Sequence, residues 1–352
     1  MKDEGRKGTK LLPLVLSVLL WGATLVAAAQ APQPALGAAG GEDVTFFVIG
    51  DPQINIPLWG TAGTEQTIDI MNTLPGQPFP PGGVVEEPRG LVILGDLQDD
   101  IKNLDNWALY KQLFDIEGRG RLRFKVFEGL GNHDLSTSQT FGSFNPLQRE
   151  FIARNGRRAG DFHYDSNHYH YSWDWGPLHL VQLNVFPSTE ARPVYDRPAP
   201  WNDPKLGLDF LKEDLASRVG ASGRPVILLW HYGLRGWGLE KWWTPEDLAA
   251  LREAIAPYNV VLILHGHEHA YAHYQWEGHE VFMAPSPQID RDPKTPEAPS
   301  KPKGFLVIRL RGTQLDVVHH TAEGWKETWS ETIELGRPRQ MPAPPLEAGA
   351  KR

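Results

Sequence analysis

Four short runs are apolar at nearly every position, at Val44–Ile49, 91–94, 226–230 and 260–264, and a fifth at 123–128 alternates. Runs of this length predict strands buried on both faces of a sheet. Between them apolar residues fall at helical spacing. Ile68, Ile70, Met71 and Leu74 mark a helix at 64–74; Trp107, Leu109, Tyr110, Leu113 and Phe114 mark one at 106–116. Further helices are predicted at 146–155 and at 204–218 (Leu208, Leu211, Leu215), the latter with Asp203 as its cap before Pro204. Thr244-Pro245-Glu246-Asp247 opens another by the same signal. Strands alternating with helices indicate βαβ units. Segments 169–175 and 178–185 form paired strands around Gly176-Pro177, and short strands at 274–276, 280–283, 305–310 and 315–319 predict a second sheet packed on the first. The expectation is one α/β domain over residues 43–335, two sheets with outer helices and no internal repeat.

The ends of the chain follow other patterns. Residues 1–29 combine Lys2, Arg6, Lys7 and Lys10, an apolar run at 11–26 and Ala27-Ala28-Ala29, which together predict an export signal cut after Ala29. The competing reading is an uncleaved anchor, the one route to membrane contact, since the apolar run is nearly long enough to span a bilayer. Residues 30–42 have a linker composition and 336–352 form a tail rich in Pro and Ala. The product is therefore expected outside the cytoplasm, periplasmic or extracellular.

Composition narrows the chemistry. The 352 residues contain no Cys, which excludes disulfides, thiolate metal sites and a cysteine nucleophile. Any metal must sit on His, Asp, Glu, Asn, Gln or water, a donor set suited to Zn, Mn, Fe, Ni or Mg. The net charge of −8 becomes −10 once the four basic and two acidic residues of the signal are removed. An acidic body argues against general nucleic-acid binding.

The strand ends carry the candidate site. The first run stops at Asp51-Pro52-Gln53, the second at Gly95-Asp96-Leu97-Gln98-Asp99 and the third at Gly131-Asn132-His133-Asp134. Two later strands stop at His231 and at Gly266-His267-Glu268-His269. One histidine after an apolar strand is usually structural. Five polar endings gathered at one sheet edge, where open α/β sheets place their ligands, form a cluster too costly to bury without cations. A dinuclear site of hard or borderline metals is the simplest answer.

In this order the motifs D-x-(H), G-D-x-x-D, G-N-H-D, a lone H and G-H-x-H resemble the calcineurin-like metallophosphoesterase superfamily. The resemblance spans residues 44–320 and includes a central hairpin at 171–177. It implies a four-layer α/β/β/α sandwich and two divalent or trivalent metals (Mn, Fe, Zn or Mg) sharing Asp96. One would take Asp51, position 53 and His269, and the other Asn132, His231 and His267. It further implies a water or hydroxide between the metals as nucleophile, His133 as the acid that protonates the leaving oxygen, and Asp134 as the group that fixes its tautomer. The chain departs from the pattern at Gln53, where the family usually has His. A harder amide oxygen there shifts the expected preference toward Mn, Fe or Mg over Zn.

Around the site, the loop 232–243 is aromatic and basic. Tyr232 and Arg235 are candidates to stack a ring and hold a second phosphate or acid, or else part of a wall that shields the metals. Asp99 and Glu268 are expected to support the ligands, and His265 either does so or only ends its strand. Loop 284–294 reads as a mobile segment more than as a lid. The expected activity is metal-dependent phosphoester hydrolysis, foremost of a phosphomonoester, on a phosphorylated small molecule or phosphoprotein. The alternatives are a phosphodiesterase on the same core, or an interaction module weakened by Gln53.

Overall fold

The computed structural model describes residues 43–55, 60–99, 104–135, 146–193, 202–236, 239, 242–289 and 302–336. The expected signal, linker and tail, the distal part of loop 284–294 and residues 237, 238, 240 and 241 lie outside the described residues.

Among the described residues thirteen strands form two sheets. The first contains β1 (Val44–Ile49), β2 (Leu91–Ile93), β3 (Val126–Glu128), β11 (Gly304–Arg311), β12 (Gln314–Thr321) and β13 (Gly324–Thr332), in the order β13-β12-β11-β1-β2-β3. The second contains β4 (Phe162–Tyr164), β5 (Tyr171–Trp175), β6 (Leu178–Gln182), β7 (Val226–Leu229), β8 (Val260–His265), β9 (Ala272–Trp276) and β10 (His279–Met283), ordered β4-β5-β6-β7-β8-β10-β9. β1 to β3 run parallel, as do β6, β7, β8 and β10.

Side-chain alternation explains why the central strands are apolar throughout. Val44, Phe46 and Val48 of β1 join Leu180, Ile227, Leu229, Leu262 and Leu264 in the layer between the sheets. Phe47 and Ile49 face the other way and pack with Ile68 and Met71 of α1 (Ala62–Thr73). Full burial of each such side chain contributes about 1.5–3 kcal/mol, so both faces hold the strand. The two-sheet sandwich with flanking helices matches the expected fold class.

The division of strands differs from the expectation. The five polar-ended strands do not share one sheet: β1, β2 and β3 lie in the first, β7 and β8 in the second. The C-terminal strands are likewise divided. β9 and β10 extend the second sheet, whereas β11 pairs antiparallel with β1, Phe46 opposite Ile308. An apolar run signals burial but not its partner, and apart from the β9–β10 hairpin these pairings are non-local. β4 and β13 escape the sequence reading because they are half-exposed edge strands whose polar residues dilute the pattern.

Further helices among the described residues are α2 (Leu104–Leu113), the single turn α3 (Asn132–Leu135), α4 (Pro146–Asn155), α5 (Gly207–Asp214) and α6 (Pro245–Ile255). α6 starts as its sequence predicts: Thr244 Oγ1 accepts from Asp247 N, the Asp247 carboxylate accepts from Thr244 N, and Pro245 needs no partner for its nitrogen. The start predicted at Pro204 is corrected. Leu206 sits at φ +62°, which a helix cannot continue through, so α5 begins at Gly207 and runs into the π-helical turn Leu215–Val219. Asp203 instead accepts from Lys205 N and Nζ, closing the turn before the helix. α4 is anchored on the third strand by a buried pair. Arg154 donates to both oxygens of Glu128 at 2.7 and 2.9 Å, and Tyr110 Oη donates to the same carboxylate at 2.6 Å. This clamp fixes the end of β3, three residues before Gly131.

Candidate metal centre

The C-terminal ends of β1, β2 and β3 meet those of β7 and β8 at one edge of the sandwich, and the predicted ligands come together there. Two sets of donor atoms each lie within 4.8 Å of one another: Asp96, His231 and His267, and Asp51, Asp96 and His269. Asp96 is common to both. Asn132 joins the first set, its Oδ1 3.1 Å from His231 Nε2. Gln53 lies at the second, with Nε2 donating to Asp96 Oδ2 at 3.1 Å, so in this arrangement the amide steadies the shared carboxylate.

The backbone is strained where these side chains converge. Ten non-glycine residues have positive φ among the described residues, and five of them are Asp51, Gln53, Asp96, His267 and His269. Each such conformation costs on the order of 1–3 kcal/mol and persists only where its surroundings impose it. Two glycines make the close approach possible. A Cβ on Gly131 would lie 2.2 Å from Asp96 Oδ1, and one on Gly266 would lie 2.7 Å from Asp51 Oδ2.

His231 shows what the cluster requires. Its Nδ1 lies 2.7 Å from the Leu94 carbonyl, an acceptor only, so Nδ1 carries the hydrogen. Nε2 then faces Asp96 Oδ2 at 3.3 Å, Asn132 Oδ1 at 3.1 Å and His267 Nδ1 at 3.2 Å. So many lone pairs repel unless a proton or a cation sits among them. Without metal the proton does so: burial disfavours a charged ring, yet the carboxylates of Asp96 and Asp51 raise His231 to about 9. Burial and the His231 charge in turn hold His267 well below the ordinary imidazole range. Burial, aided by the Asp96 charge, pushes Asp51 up to about 7 against the pull of His231.

The residues fit metal ions. Asp51 Oδ1 is buried with no hydrogen-bond partner, while Oδ2 accepts from His267 N at 2.8 Å. Carboxylate, imidazole and amide donors suit hard or borderline divalent ions.

The predicted pairing of Asp134 with His133 is corrected. The Asp134 carboxylate accepts from the backbone N–H groups of Leu97, Gln98 and Gly131, tying the loop after β2 to the turn after β3. His133 Nδ1 instead meets Asp99, at 3.0 Å from its carbonyl and 3.1 Å from Oδ1. Burial would lower His133, but Asp96 and Asp99 outweigh it and raise the ring to about 10. Its side chain is 28 % exposed, so it lines the open side of the site.

Tyr232 is buried, stacked on Trp242 and edge-on to His267. Arg235 is exposed, its guanidinium 4.5 Å from the centre of the Tyr274 ring. Tyr274 Oη accepts from Leu234 N and lies 2.8 Å from His265 Nε2, while His265 Nδ1 lies 2.9 Å from the Gly266 carbonyl. His265 thus braces the loop after β7 against the loop after β8. Nothing in the chain's pattern singles out Tyr274, whose value depends on a fold that brings β9 beside the Arg235 loop.

Comparison with known proteins agrees with this geometry. Solved structures with a similar fold include GAP50 of Plasmodium, described as the anchor in the inner membrane complex, at 14% identity and a TM-score of 0.52, covering 84% of this chain and 90% of that one. PhoD matches at 12% identity and a TM-score of 0.50, covering 87% and 75%. The sequence matches no curated protein. The family model for calcineurin-like phosphoesterases matches residues 44–271, which contain every ligand of the centre. The chain therefore belongs to the calcineurin-like phosphoesterase family, whose members use divalent metals.

Proposed function

We propose that the protein is a metal-dependent phosphoester hydrolase with two metal sites sharing Asp96, acting on phosphomonoesters of an exported or extracellular pool. The observation that carries this reading is the pair of donor sets around one carboxylate, Asp96 with His231 and His267, and Asp51 and Asp96 with His269. Asn132 and Gln53 complete the sets with amide groups. Bound metals would supply Lewis acidity toward the phosphoryl oxygens and activate a water for in-line displacement.

The chain's own groups supply the rest. His133, half-buried and held protonated beside Asp99, gives its proton to the leaving oxygen. Asp99 orients the ring, the role the sequence had assigned to Asp134. Arg235, exposed on the loop that follows His231, is placed to take a second anionic group of the substrate. Its support on Tyr274 reduces the freedom it would lose on binding.

A second reading, an interaction module on this fold, draws on Gln53, which holds Asp96 instead of contributing an imidazole, and on the likeness to a protein described as an anchor. Metal analysis of the purified protein, joined to assays on p-nitrophenyl phosphate and bis-p-nitrophenyl phosphate with Mn or Zn, separates the readings. Faster turnover of the monoester with bound metal is expected. Preference for the diester would make it a phosphodiesterase, and no turnover with no bound metal would favour the module.

A further inference from the structure

Side chains that hold metals are oriented by the groups around them, and here the ligands' own carbonyls are held as well. The Asp96 carbonyl accepts from Gln53 N at 2.9 Å, and the His231 carbonyl accepts from Gly266 N at 3.1 Å. At Asp51 the donor is a side chain from a distant segment. Ser286 Oγ, fully buried, donates to the Asp51 carbonyl at 2.7 Å.

The direction of this bond is forced. A serine hydroxyl offers one hydrogen and two lone pairs, and Ser286 Oγ accepts from Gln288 N at 3.1 Å and Ile289 N at 2.9 Å. Its one hydrogen is thus committed to Asp51. Ser286 is itself anchored, because its carbonyl accepts from Gly304 N at 3.2 Å, at the start of β11. Beside it, Gly50 N donates to the Pro285 carbonyl at 3.1 Å, and a Cβ on Gly50 would lie 2.8 Å from the Ala284 carbonyl oxygen. Residues 284–286 therefore press directly on the end of β1.

Asp51 needs such support. It sits at φ +44°, a conformation that persists only where its surroundings impose it. Oδ2 accepts from His267 N at 2.8 Å and the carbonyl from Ser286, while Oδ1 has no hydrogen-bond partner. Two rigid donors thus set the residue and leave one oxygen over.

We propose that Ser286 is a positioning residue: through the Asp51 carbonyl, its hydroxyl holds Oδ1 in place for the metal site built on Asp51, Asp96 and His269. The proposal rests on the reading above of two metal sites sharing Asp96. Loss of a supporting partner of this kind lowers metal affinity by roughly 10–100-fold.

Ser286→Ala in the full chain removes the donor. Manganese and zinc binding, measured by chelator competition well below the melting temperature, should show one site weakened by roughly 10–100-fold and the other unchanged. At a metal concentration that loads wild type with two ions, the variant should hold one. The control is Gln288→Ala. Gln288 Oε1 accepts from Thr64 N at 2.9 Å, so this change loosens the same loop from α1 while the Ser286 bond stays. It should lower Tm and keep both ions. Wild-type affinity at both sites of Ser286→Ala would overturn the proposal. So would equal weakening of both sites, or loss of the same ion from Gln288→Ala, since either marks the loop as general support. If Ser286→Ala does not fold, Ser286→Cys, similar in shape with a weaker donor, carries the same comparison. A wild type that binds fewer than two ions sinks the two-site reading and this proposal together. One that binds two ions but turns over no phosphoester sinks only the hydrolase reading, and the binding result still decides the role of Ser286.

Discussion

Replacing Gly131 with alanine tests whether the site is built by the approach of two loops. The new Cβ would lie 2.2 Å from Asp96 Oδ1, 2.5 Å from Asp96 N and 2.8 Å from Asp96 Cγ. That is at least about 1 Å inside normal contact. The carboxylate cannot swing aside, because Oδ1 accepts from His133 N at 2.9 Å and Oδ2 from Gln53 Nε2. The backbone of the second strand's loop is blocked as well. The two loops must therefore separate, at an overpacking cost of about 1–3 kcal/mol. In domains slightly smaller than this one, each kcal/mol lowers Tm by about 2–4 °C. A shift near 1 Å in the shared ligand should also lower kcat by roughly 10²-fold. Thermal denaturation, metal analysis and steady-state kinetics on one preparation measure all three. A variant that keeps wild-type metal content and kcat would refute the account, since it would show that Asp96 and Gly131 are not in forced contact.

Other outcomes follow from the same structure. Asp214 accepts from Ser172 and meets both His163 and His179, while His179 also meets Asp174. Against the cost of burial, the histidine hydrogen bonds lower Asp214 to about 2, and Asp174 and Asp214 raise His179. The depressed carboxylate adds stability above its unfolded value of 3.8 and loses it as pH falls through about 2; the raised imidazole adds stability below 6.5 and loses it as pH rises through its folded value. Asp214→Asn should thus lower stability most between about pH 4 and 6.5, by roughly 2 kcal/mol, as followed by urea denaturation; a pH-independent loss would contradict it. Gln53→His should raise zinc affinity tenfold or more in competition with a chelator, and equal zinc and manganese affinities in both proteins would count against an amide-tuned site. Arg235→Ala should raise KM and keep kcat for substrates with a second anionic group, with no change for p-nitrophenyl phosphate.

The local chemistry of the centre was legible in the chain. Apolar runs followed by Asp51, Asp96, Asn132, His231 and His267 mark ligands at strand ends because each run is buried on both faces, and polar groups that follow it directly stay buried and need partners there. The capping box at Thr244 was legible for a similar reason: its partners are three residues apart. What tertiary structure decided were the relations between distant segments. The sequence could not show that β7 and β8 belong to a different sheet from β1 to β3, because burial carries no record of which strand lies alongside. Nor could it show that His133 turns to Asp99 while its neighbour Asp134 binds the loop after β2. Adjacency in the chain suggested a pair, but the loop after β2 supplies partners to both residues, Asp99 to His133 and the Leu97 and Gln98 N–H groups to Asp134. The bond from Ser286 to Asp51 is likewise invisible in sequence, since it joins segments 235 residues apart. Residue types set which metals and protons the site can hold, and the packing of two sheets set which atoms share them.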